Sequence, residues 1–181
     1  REVDAIAHVV RCFVDPDIAH VAGRIDPIAD IETIETELML ADLDSLERRV
    51  DGLAKKAKGN DKDAAEAKET LDLVNRALAL LHEGKPARLV ERKPEEERAF
   101  HMLGLLTSLP VLYVCNVDEA SAAVGNEFSR QVEARAQEEG AACVIISAKI
   151  EAEIAVLPAD ERAEYLSAIG LKEPGLDRLI R

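Results

Sequence analysis

Two heptad seams in series limit the folds open to this chain more than any other feature. Met39, Leu43, Leu46, Val50, Leu53 and Ala57 recur at intervals of four, three, four, three and four. That spacing keeps one apolar stripe turned toward a partner helix. After a polar break at Lys58-Gly59-Asn60-Asp61, the residues Ala64, Ala67, Leu71, Val74, Leu78 and Leu81 give a second stripe of the same kind. A break this short brings the second helix back along the first, so the pattern predicts an antiparallel helical hairpin. Asp30 is the expected N-cap of the first helix, and Gly84 the glycine that ends the second. Asp44 with Arg48 and Asp51 with Lys55 are expected to form outward i,i+4 pairs. From Ile31 to Ala57 the first helix would be about 40 Å long at 1.5 Å per residue, so it must project from a small sheet. Stripes at this spacing cement a hairpin to itself, and a hairpin this long also offers a docking arm for a large partner.

The segments on either side have a different period. Ile6 to Val14 is apolar and β-branched and reads as a buried parallel strand, preceded by a helix tail at Arg1 to Asp4 and ended by Asp15-Pro16-Asp17. Pro94 with Glu95, Glu96 and Glu97 starts a helix expected to reach about Thr107, since Pro is tolerated in the first turn and acids favour the positive dipole end. Then come a strand over Val111 to Cys115, a loop at Gly125-Asn126, a helix from Glu127 to Glu138 closed by Gly140, and a strand over Ala142 to Ile146. Helical stretches follow at Lys149 to Val156, Pro158 to Ala168 and, beyond Gly170, Leu176 to Ile180. A β–α–β order calls for a parallel, right-handed crossover, so the fold class is α/β with an inserted helical hairpin. The expected divisions are 1–25 and 108–181 for two parts of one α/β domain and 26–107 for the insertion.

The two strand ends carry the residues of interest. Val111-Leu112-Tyr113-Val114-Cys115 delivers Asn116, Val117, Asp118 and Glu119 at its carboxyl end, and Cys143-Val144-Ile145-Ile146 delivers Ser147, Ala148 and Lys149. In open α/β sheets ligands sit outside the carboxyl ends of the parallel strands. An Asn side chain both donates and accepts, which answers the N7 acceptor and N6 donor of adenine together. Guanine presents N1–H and N2–H₂ donors that call for a carboxylate; Glu119 is one methylene longer than Asp and is expected to overshoot that position or turn away. Val117 offers an apolar side chain suited to packing on a purine. Ser147 is equally suited to a plain helix N-cap, so each motif is weak alone and their order carries the argument.

Composition removes several classes. A net charge of −13 disfavours a broad electrostatic grip on nucleic acid, which needs clustered Lys and Arg. Three cysteines with no Cys-x-x-Cys pair fit a reducing cytoplasm better than a disulfide framework or a metal site, and Cys12 and Cys115 read as buried small hydrophobes. His8, His20, His82 and His101 share no spacing, so no metal role is expected, and Glu151 and Glu153 point to different helix faces rather than forming a catalytic pair. No apolar run approaches the roughly 20 residues that span a bilayer, so no membrane partner is expected and the chain reads as cytoplasmic. No Gly-x-x-x-x-Gly-Lys-Ser/Thr occurs, and Gly84-Lys85 runs into Pro86. Without that loop there is no phosphate and magnesium site, so no catalytic residue is expected in this chain and no ATP hydrolysis by it alone.

Taken in order, Arg1 to Phe13, Gly23-Arg24-Ile25-Asp26-Pro27, Asp30 to Ile34, Asn116-Val117-Asp118-Glu119 and Ser147 to Glu153 resemble the YchF family of Obg-like ATPases, relatives of the P-loop GTPases. Val117 and Glu119 stand where the common Asn-Lys-x-Asp motif has Lys and Asp, a departure typical of that family. The resemblance implies the C-terminal half of a P-loop GTPase-like parallel sheet with a coiled-coil insertion. It implies a fragment that lacks the phosphate loop and the C-terminal TGS domain, and a preference for ATP over GTP. A purine-base pocket is implied at Asn116, Val117, Glu119, Ser147, Ala148 and Lys149. Mg²⁺ would be held by residues outside this chain, and the partner would be the ribosome or a translation-associated protein. The competing expectation is a non-enzymatic adaptor that docks a protein through the hairpin.

Overall fold

The computed structural model describes residues 3–15 and 25–180. Expectations that rest on Arg1, Glu2, Pro16, Asp17, His20, Gly23 and Arg24 lie outside the described residues. The described chain forms β1 (Ile6–Arg11), α1 (Pro27–Lys56), α2 (Lys62–His82), α3 (Glu97–His101), β2 (Val111–Asn116), α4 (Glu127–Glu139), β3 (Ala142–Ile146), α5 (Ala148–Val156), α6 (Ala159–Ala168) and α7 (Gly175–Ile180). It divides into two units: Ala5–Ile31 with Val111–Arg181, and Glu32–Pro110 with the first four residues. Among the described residues no helix is long and apolar enough to cross a membrane.

The first unit holds an all-parallel sheet in the order β1-β2-β3, with Val10 opposite Cys115 and Cys115 opposite Ile145. Central β2 buries Tyr113, Val114 and Cys115 in succession, as a strand covered on both faces must. Strand β1 stops at Arg11 rather than Val14, pairs only with β2 among the described residues, and buries Val10 while Ala7 and Val9 on the other face are exposed. Val3 and Asp4 are not helical. The core joins Val10, Tyr113, Val117, Val132, Ile150, Ile154 and Leu166 with Ile31 from the first turns of α1. Helix α4 begins at Asn126, whose Oδ1 accepts from Ser129 N–H at 3.0 Å, and ends at Gly140 in the left-handed region.

All three cysteines sit in this unit, Cys12 and Cys115 buried and Cys143 half-buried. Cys115 Sγ lies 3.6 Å from Cys143 Sγ. Hydrogen bonding with the Cys12 thiol, reinforced by burial, pushes the Cys115 pKa up to about 12, against an opposing effect of Cys143. Cys143 is pushed higher still, first by the Cys115 thiol and then by burial.

In the second unit α1 and α2 run antiparallel: Glu47 reaches His82 at one end, while Leu53, Lys56 and Thr70 line one groove toward the other. The first helix starts four residues earlier than its apolar period suggests. Asp26 Oδ1 accepts from Ala29 N–H at 3.1 Å and Pro27 opens the helix with its φ already set, so Asp26 is the cap and Asp30 lies inside. Asp61 caps α2 through Ala64 N–H at 2.8 Å. Gly84, at φ +72°, closes it: Lys85 N–H donates to Leu80 O and Gly84 N–H to Leu81 O, the paired bonds of a Schellman ending. Asp44 and Arg48 pair at 2.8 Å, whereas no Asp51–Lys55 ion pair stands among the described residues.

Leu46, Leu73, Val74, Ala77 and Leu81 form the buried centre, covered by Ala87, Val90, Phe100, Leu103 and Leu105. The helix expected from Pro94 to Thr107 is instead a 3-10 turn at Pro94–Glu96, the short α3 and a second 3-10 turn at Leu106–Ser108. Gly104, at φ +64°, ends it early. That reversal aims the backbone of Leu106 and Thr107 at α1. Asp42, 2% exposed, accepts there from Leu106 N–H at 2.8 Å, Thr107 N–H at 2.8 Å and the Thr107 hydroxyl at 2.7 Å. Thr107 Oγ1 in turn accepts from Ala87 N–H at 2.9 Å. Arg76 anchors the same segment through Glu96 at 2.6 Å and Glu91 O at 2.7 Å.

Candidate functional site

The parallel register places the ends of β2 and β3 side by side, with Asn116 opposite Ile146. Cys12 N–H donates to Asn116 O and Val117 N–H to Ile146 O, each at 2.8 Å, so the ladder extends to the first residues of both turns. Ala148 N–H then donates to Asn116 Oδ1 at 2.9 Å, joining the two motifs through a side chain. An amide oxygen has two lone pairs, so Asn116 retains one of them together with both Nδ2 hydrogens. Among the described residues Nδ2 donates to no protein atom.

Ser147 ends up buried, 3% exposed, at the start of α5, and its hydroxyl caps nothing. Its Oγ is one of the buried side-chain atoms without a hydrogen-bond partner among the described residues. Buried polar atoms are nearly always satisfied, and the described residues supply this Oγ with no partner. Ala148 and Lys149 are exposed.

Val117 is 2% exposed and belongs to the core, so its side chain backs the turn from within instead of offering an outward apolar surface. Asp118 accepts from Ser121 N–H at 2.9 Å and caps the 3-10 turn Glu119–Ser121. Glu119 is exposed and forms an ion pair with Lys149. The Lys149 ammonium holds the Glu119 carboxyl below its usual range, and Glu119 raises the Lys149 pKa.

Three supporting residues gave no separate signal in the sequence. Asn126 Nδ2 donates to Cys12 O at 2.7 Å, tying the end of β1 to the start of α4; only the Asn-x-x-Ser capping spacing hints at it. Glu151 accepts from Gly175 N–H at 2.6 Å, and Glu153 from the Tyr165 hydroxyl. A Cβ on Gly175 would lie 2.6 Å from Ile146 Cγ2 and 3.0 Å from Glu151 Oε1, directly behind the second turn. Gly175→Ala is therefore expected to cost about 1–3 kcal/mol through overpacking. Thermal unfolding checks it, and a melting temperature equal to that of the parent would mean α7 does not press on β3.

Among the described residues no group of three or more His, Cys, Asp or Glu side chains could hold a metal ion. No family model matches the chain. Over its whole length it is 45% identical to the ribosome-binding ATPase YchF of Bacillus subtilis and covers 49% of that protein. It is 47% identical to the ribosome-binding ATPase YchF of Haemophilus influenzae, again covering 49%. Over 91% of its length it is 34% identical to Obg-like ATPase 1 of Oryza sativa subsp. indica, covering 42%. The solved structure of the Schizosaccharomyces pombe YchF GTPase matches 98% of the chain with a TM-score of 0.84 at 28% identity, over 48% of its own length. The chain thus spans about half the length of the relatives it matches. With a parallel α/β sheet, the two strand-end turns in order and this similarity from end to end, the chain is homologous over its whole length to about half of the YchF proteins.

Proposed function

We propose that this chain carries the purine-base site of an ATP-binding and ATP-hydrolysing regulatory protein, with the α1–α2 hairpin as its docking arm toward the ribosome or a translation-associated protein. The observation that carries the reading is the 2.9 Å hydrogen bond from Ala148 N–H to Asn116 Oδ1. It couples the two turns at the carboxyl ends of adjacent parallel strands, where open α/β sheets place their ligands. Asn116 would give Nδ2–H to purine N7 and take an adenine N6–H on its second lone pair, while the buried Ser147 Oγ gains a partner. Val117 holds the first turn from the core side, and Ala148 supplies backbone at the rim.

ATP fits these residues through its base. Its phosphates and Mg²⁺, which supply the charge stabilisation that phosphoryl transfer needs, are assigned in this reading to residues beyond this chain. The ribosome enters through the names of the relatives, which are ribosome-binding ATPases.

Asn116→Ala in the full-length protein is expected to weaken ATP binding about tenfold or more, on the scale of one lost bidentate contact. Nucleotide competition measured by fluorescence reads it. Under the adaptor alternative the substitution is silent, so unchanged affinity in a folded variant would sink the base site.

A further inference from the structure

We propose that Lys149 sets base choice by holding the Glu119 carboxylate in an ion pair across the two turns, which denies guanine its acceptor and spares adenine a repulsion. The inference rests on the base site proposed above and assigns one of its residues a distinct task. In the base site proposed above, Glu119 stands where the common Asn-Lys-x-Asp motif has an Asp for the purine edge. A longer side chain could still bend toward that edge, so reach alone does not remove it. The ion pair does: Lys149 comes from the other strand-end turn and engages Glu119 directly.

The neighbouring carboxylates are occupied elsewhere. Asp118 caps its own turn, Glu151 accepts from Gly175 N–H, and Glu153 accepts from Tyr165. Asp15 and Glu153 add attraction for the ammonium, in addition to that of Glu119. Guanine needs a carboxylate for N1–H and N2–H₂, whereas adenine presents a lone pair at N1 that a free carboxylate would repel. Holding Glu119 aside therefore acts on both purines in the same direction. Both side chains are substantially exposed, so neither is required for the core.

The test begins without nucleotide. In Lys149→Gln the Glu119 carboxyl, followed by NMR titration, is expected to rise toward its ordinary range; an unmoved titration overturns the proposal. Competition binding with ATP and GTP in the full-length protein follows. The GTP-to-ATP affinity ratio is expected to rise about tenfold in Lys149→Gln. It is expected to stay at the parent value in Lys149→Arg, and to be unaffected by Lys149→Gln when Glu119→Gln is already present. A ratio unchanged in Lys149→Gln, or one that changes equally with Glu119 absent, overturns the proposal. Failure of the base site itself would show earlier and differently, as a parent protein from which adenosine displaces no bound nucleotide.

Discussion

Replacing Asp42 by alanine is expected to remove about 3–6 kcal/mol of folding stability, since each buried donor left without a partner costs about 1–3 kcal/mol. Three donors lose their acceptor at once: the N–H groups of Leu106 and Thr107 and the Thr107 hydroxyl. Thr107 also holds Ala87 N–H, so the loss spreads to the start of the segment that covers α2. Asp42→Asn should fall between, because one amide oxygen can still accept while its NH₂ meets N–H groups that are donors themselves. Urea unfolding followed by circular dichroism measures both. An alanine variant within about 1 kcal/mol of the parent would mean that water replaces the carboxylate at little cost.

Leu46→Asp should be comparably damaging. Leu46 is fully buried between the helices, and truncating a core leucine alone costs about 2–5 kcal/mol before any charge is placed there. A carboxylate at that position cannot be solvated without opening the hairpin. Leu71 lies on the same heptad seam but is only half-buried, so Leu71→Asp can turn its charge toward water and should cost much less. The pair forms an internal control. Equal losses of helicity and stability in the two variants would contradict the burial described for α1 and α2.

The difference between these two leucines marks how far the sequence reached. Heptad counting found the buried positions Leu46, Ala64, Ala67, Val74 and Leu81, because that spacing is dictated by helix geometry alone. It missed Leu73 and Ala77, which lie off the heptad stripe and join a cluster that also includes Val90, Phe100 and Leu105 of the irregular segment. No local period encodes that cover. Asp42 was illegible for the same reason, since its partners are backbone groups 64 and 65 positions away. The start of α1 was legible and misplaced: Asp26-Pro27 is a stronger signal than Asp30, as proline at the first helical position fixes the entry. At the candidate site, the parallel β–α–β crossover and the ends of β2 and β3 followed from sequence, and Asn116 meets Ala148 because both follow paired strands. The Glu119–Lys149 contact depended on two side chains reaching across separate turns, and Val117 reads as outward or inward only once the core around it is known.

The cysteine cluster makes this chain ready for site-directed labelling. Maleimides and related reagents attack thiolates, while Cys115 is kept a neutral thiol by Cys12 and by burial, Cys143 by Cys115 and by burial, and Cys12 is itself fully enclosed. A single cysteine introduced at exposed Asn60, on the turn joining α1 to α2, would then be the fast-reacting thiol without removal of any native one. A fluorophore or spin label placed there would report on whatever the tip of the hairpin meets while the sheet keeps its own side chains.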